Sequence, residues 1–172
     1  MSALYKNDGF VADPWAFPDQ DTPIPANGPV ALPRGRLLAE WPALQGRADG
    51  VGLRLDSGEK LEGLEDIIPH LRLIALRIPK YSDGRQYSIA RRLRDNYGYR
   101  GELRATGDVL RDQIPILRRA GFDALEITHP GTIQALRDGV VIAIQRHYQP
   151  ASLEAVEGEP GWRPWLRVTS AG

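Results

Sequence analysis

Three short segments, PKYSDGR, TGD and THPG, each join the end of an apolar run to the start of a helical pattern. In open parallel sheets ligands collect beyond the carboxyl ends of the strands. Lys80, Tyr81, Ser82, Asp83, Arg85, Thr106, Asp108, Thr128 and His129 are therefore expected along one rim, beside the first turns of helices. Free N–H groups and a partial positive charge at helix N-termini make a small oxyanion the natural guest. Lys80 and Arg85 would add full charges, the arginine through a fork matched to oxyanion geometry. A plainer reading makes Asp83 and Asp108 helix caps, with Arg85 balancing Asp83. Arg104, between Leu103 and Ala105 in an apolar strand, has two readings. Either it pairs with Glu102 on the same side of the strand, or it reaches the anion rim.

The cations are concentrated around this rim. Residues 1–71 hold six cations and eleven acids, 72–119 hold twelve and five, and 120–172 hold four and six, within a chain of zero formal charge. Arg91, Arg92 and Arg94 fall mostly on the polar side of a helix and read as a solvated face or a partner surface. Nucleic acid is not the expected partner: the whole is neutral and lacks the aromatic and glycine pattern of an RNA-recognition sheet. The absence of cysteine removes thiolate nucleophiles, cysteine zinc sites and cysteine-held iron–sulfur clusters. His70, His129 and His147 stand singly, without metal-ligand spacing, so no metal site is expected. GxGxxG, Walker A and GxSxG patterns are all missing, which leaves cofactor and catalytic residues unassigned.

The elements that must hold the rim follow from periodicity. Seven of the fourteen prolines lie in the first 42 residues. That argues for an extended wrap or edge strands over 1–50, without a regular helix through most of it. A core over 51–148 begins with Val51, Leu53 and Leu55 alternating as a strand, followed by a short helix stopped near Pro69. RLIALRI, GELRAT, FDALEI and VVIAIQRHY read as further strands. Helices are expected over 83–97, with an Asp83–Gln86 capping box, and from Asp108 to Gly121, kinked at Pro115. A further short helix starts near Pro130. The order implies an α/β fold, a mainly parallel sheet built from successive β-α units, in a single domain over 1–172. Residues 149–172, with two tryptophans, read as a docked, loop-like tail. No run is long and apolar enough to span a bilayer and the start carries no export signal, so the expected location is the cytoplasm.

The stretch from LIALRIPKYSDGRQYSIARRLRDNYGYR to GELRATGDVLRDQIPILRRAGFDALEI resembles the bacterial family called domain of unknown function 934. The likeness covers roughly 50–147 and is most specific in SDGRQYSIARRLR and GELRATGDVLRDQ. It implies a role in assimilatory sulfate and sulfite reduction, either as an oxidoreductase or as an accessory beside sulfite reductase or its electron donor. Alternatives are a non-catalytic interaction module using the basic helix, or an anion-binding α/β protein unrelated to sulfur. The resemblance brings no catalytic residues, and Ala120 stands where some members carry cysteine, so no thiol mechanism is carried over.

Overall fold

The computed structural model describes residues 2–80 and 83–139. A hairpin comes first, β1 (Ala3–Lys6) and β2 (Gly9–Val11). Its turn residues Asn7 and Asp8 have φ of 51° and 60°, the left-handed pair that a tight hairpin favours. Then come β3 (Val30–Pro33), α1 (Arg34–Leu44), β4 (Val51–Leu55), β5 (Leu73–Ile78) and α2 (Arg85–Asp95). The chain continues through β6 (Glu102–Gly107), α3 (Ile114–Arg119), β7 (Ala124–Ile127) and α4 (Pro130–Arg137).

The strands form one sheet in the order β2-β1-β7-β6-β5-β4-β3. β3 to β7 are parallel, and β1 joins β7 antiparallel. From β3 to β7 the sheet advances one strand at a time in one direction. Crossovers of a single hand then put every helix on the same face. The core bears this out: Leu37 and Leu44 of α1, Ala90 and Leu93 of α2, Leu117 of α3 and Leu136 of α4 share one cluster with Leu53, Ile74, Leu76, Leu103 and Leu125 of the strands. The opposite face carries small residues, Ala31, Gly52, Ala75 and Ala124. Among them stand Arg54, Arg77, Glu102, Arg104, Thr106 and Glu126, by strict alternation along each strand.

The sheet is curled around that second face. Ala16 bridges Val30 at the outer edge of β3, only five residues after Val11 at the other edge. Five residues reach at most about 18 Å, whereas the seven intervals from β2 to Ala16 laid flat would span about 34 Å. The two edges must therefore curve toward one another, with helices outside and residues 12–19 inside. Small side chains make room for this: a methyl added to Gly52 would lie 2.9 Å from the Leu73 carbonyl and 3.1 Å from Ala31 Cβ.

Several local expectations change. The extended reading of the Pro-rich part holds for residues 12–29, but α1 forms directly after Pro33, with Pro42 only in its last turns. Pro69 lies in the first turn of a 3-10 helix, Ile68–His70, and so starts this element where it was expected to stop one. Pro115 is likewise in the first turn of α3, where its missing N–H costs nothing and no kink arises. No helix begins at Asp108; a 3-10 turn, Arg111–Gln113, precedes α3. α2 starts at Arg85 with Gly84 as its cap residue, so Asp83 lies outside it and no capping box with Gln86 forms. The expected strand VVIAIQRHY and the tail over 149–172 lie outside the described residues.

Candidate functional site

On the concave face, at the carboxyl ends of the strands, lies a cleft of about 350 Å3. Ala75 contributes to its floor, Phe17 and Asp19 of the strap, the extended residues 12–29, form one wall, and Arg54, Asp56, Arg77, Thr106 and Glu126 line the rest. Arg54 and Asp19 form an ion pair at 2.6 Å. Arg77 meets Asp56 at 3.3 Å, both side chains being 64% exposed. A pair so exposed and so long contributes little and yields easily to another partner.

Below the cleft the sheet buries a charge. The Arg104 side chain is fully buried and both sides of its guanidinium are engaged. Asp13 of the strap accepts at 2.6 and 3.1 Å, and Glu102 Oε1 accepts at 2.8 and 3.0 Å. The guanidinium carbon lies 5.5 Å from the Phe17 ring centre. Burial alone would lower the Arg104 pKa, but the bonds to Asp13 and Glu102 outweigh it and hold the group above its ordinary value. Of the two sequence readings, the structural pair with Glu102 is the one observed, with Asp13 as an added partner. Lys6 completes the cluster through Glu102 Oε2 at 2.7 Å.

The other rim residues are dispersed. Asp83 receives Arg85 in a two-bond fork of 2.9 and 2.7 Å, and Ser57 Oγ donates to it at 2.6 Å. The Arg85 bonds, then the Ser57 bond, hold the Asp83 carboxyl well below the usual carboxylate range, and the same contact raises Arg85. The Arg85 fork is thus filled by the chain's own carboxylate. His129 caps α4, its Nδ1 accepting from the Thr132 N–H at 3.2 Å. Thr128 donates to the Gly107 carbonyl at 3.4 Å. Asp108 follows β6, and its N–H donates to the Ile78 carbonyl. Lys80 is exposed, while Tyr81 and Ser82 lie outside the described residues. Of the described rim residues, Thr106 alone lines the cleft, where Arg54, Arg77 and Glu126 join it. Period-2 alternation along LRL, LRI and LEI carried that signal, since it puts the three charges on one face.

The arginines of α2 divide. Arg92 is 48% exposed, with Glu62 3.7 Å away and the Tyr97 ring beneath it. Arg91 is half-buried. Arg94 was grouped with the outer face but is turned inward, its side chain only 1% exposed. It donates to the carbonyls of Gly121, Tyr99 and Gly101 at 2.9, 2.7 and 3.0 Å and pairs with Asp123 at 2.5 Å. Beside Arg91 a groove of about 260 Å3 runs between α2 and α3, lined also by Tyr87, Ser88, Ile116 and Arg119. Ile116 is 51% exposed there. Nε and Nη2 of Arg119 are buried without a hydrogen-bond partner among the described residues. Burial raises the Tyr87 phenol, partly offset by its hydrogen bond with Gln113.

Among the described residues no three His, Asp or Glu side chains gather to hold a metal ion. None of the described helices is long and apolar enough to cross a membrane. The family model described as "Bacterial protein of unknown function (DUF934)" matches residues 52–158, which takes in β4 through α4 and hence the strand ends that build the cleft. No curated protein matches the chain.

Proposed function

Because the chain belongs to the DUF934 family of bacterial proteins, we propose that it is an accessory of assimilatory sulfite reduction, acting in the cytoplasm beside sulfite reductase or its electron donor. The observation that carries this reading is the α2–α3 groove. An isoleucine half exposed next to an arginine with two unsatisfied donors suits an acidic partner surface that brings an apolar anchor. Arg119 would swing outward to meet the partner's carboxylates, and Arg92 at the flank would steer the encounter. Two of the rim cations, by contrast, are paired internally: Arg85 with Asp83 and Arg104 with Asp13 and Glu102. A catalytic reading draws on a separate observation, the concave cleft, and requires a cofactor or co-substrate that brings the electrons.

Deletion of the gene is expected to abolish growth on sulfate and on sulfite, with rescue by sulfide. Equal growth on all three sources would overturn the pathway assignment. Co-precipitation with sulfite reductase should weaken as salt rises and fall at least tenfold with Ile116→Glu or Arg119→Glu. Unchanged capture by both variants would remove the groove as the docking surface. Sulfite turnover by the isolated protein with a supplied reductant would favour the catalytic reading.

A further inference from the structure

Arg77, Thr106 and Glu126 stand in one row across three neighbouring strands. Arg77 is directly opposite Thr106, and Glu126 lies one step beyond the Ala105–Leu125 pair, with Leu4 on its other side. At the spacing of adjacent strands, the Cα atoms of Arg77 and Glu126 are about 10 Å apart with the Thr106 hydroxyl between them. All three side chains line the cleft. Among the described residues, the Thr106 and Glu126 side chains make no hydrogen bond or ion pair, and Arg77 has only its long, exposed contact with Asp56. A cation, a hydroxyl and a carboxylate are thus presented side by side at the carboxyl ends of parallel strands, where α/β folds keep their ligands.

We propose that the cleft binds a small zwitterion of the α-amino-acid class. The ligand's carboxylate lies in the Arg77 fork, displacing Asp56; its ammonium faces Glu126; and Thr106 bonds the carboxylate or a polar side group. A bare oxyanion fits less well, because Asp19, Asp56 and Glu126 outnumber Arg54 and Arg77 around the cleft. The volume, at the small end of the range for ligand sites, limits the guest to a compact molecule. This site is independent of the sulfite reading and of the α2–α3 groove.

Calorimetric titration of the full chain with the standard α-amino acids, and with acetate, methylammonium and inorganic sulfate, tests it. At least one amino acid should bind at least tenfold more tightly than acetate, methylammonium or sulfate. Arg77→Gln and Glu126→Gln should each weaken that binding tenfold or more, and Thr106→Val by a smaller factor. Thermal melting of the variants, compared with the wild type, checks that the fold survives. Three outcomes would overturn the proposal: no amino acid binding up to about 10 mM, acetate or sulfate binding as tightly as the best amino acid, or Glu126→Gln leaving the affinity unchanged in a folded protein.

Discussion

Two buried arginines fasten this molecule from opposite sides of the sheet. Arg104 ties the strap to β6 on the concave face, and Arg94 sews α2 to the loops before β6 and β7 on the helical side. Removing Arg104 would leave Asp13 beside Glu102 without a counterion, with Lys6 as the one cation among the described residues still on Glu102. Arg104→Ala is expected to cost about 3 kcal/mol or more in urea unfolding. Arg104→Lys should recover only part of this, since a single ammonium cannot serve two carboxylates as a planar fork does. Asp83 sets a pH dependence. Its folded pKa lies below the unfolded value of about 3.9, so its contribution is complete above that value and is lost as pH falls through the folded pKa. In melts from pH 6 to pH 3, Asp83→Asn should therefore lose less stability than wild type. The Glu102–Arg104 pair was legible because the two residues share a strand face, but Asp13 was not, lying 91 positions away. Arg94 was misplaced for a different reason. Its spacing from Ala90 puts it on the buried face, and only its charge argued otherwise, until the loop carbonyls that accept its protons are known.

At the scale of elements, two glycines separate strain from space. Gly107 ends β6 with φ of 93°, and an added Cβ would sit 2.3 Å from the Ile78 carbonyl oxygen. Gly98 follows α2 with φ of 60° and open space around it. Gly98→Ala should cost about 1 kcal/mol, the left-handed penalty alone, and Gly107→Ala distinctly more because β5 must also move. Chemical denaturation of the two variants side by side measures the difference. β5, β6 and β7 were legible from their apolar runs, and α4 from Pro130 near its start. Pro33, Pro69 and Pro115 were harder to read, because a proline starts a helix as readily as it ends one, and the choice rests on tertiary contacts.

At the scale of the whole molecule, among the described residues the strap stands where a second layer of helices would lie. Phe17, Asp13 and Asp19 cover what would otherwise be an open sheet face, and α1 holds the strap through Arg36, which donates to the carbonyls of Asp19 and Thr22. Cutting both carboxylate ties, in Asp13→Ala combined with Asp19→Ala, should loosen residues 12–29 while the helical face stays closed. Faster amide exchange and proteolysis confined to that segment would report this; uniform loosening of the whole chain would contradict it. A mainly parallel sheet could be inferred from alternating elements. Its curl could not, because it depends on the pairing of β1 with β7 and of Ala16 with Val30, which no local pattern encodes.

That first pairing also governs how the chain comes to be made. Ala3 lies opposite Ile127, so β1 has no β7 to join until the strands from β3 to β7 have been synthesised. Contacts that distant in sequence form slowly. During that wait the β1–β2 hairpin is a bare edge, and the nascent β6 and β7 lack their neighbour. The full pairing of β1 with β7 therefore cannot precede synthesis of Ile127, and until then both strands present open edges to aggregation.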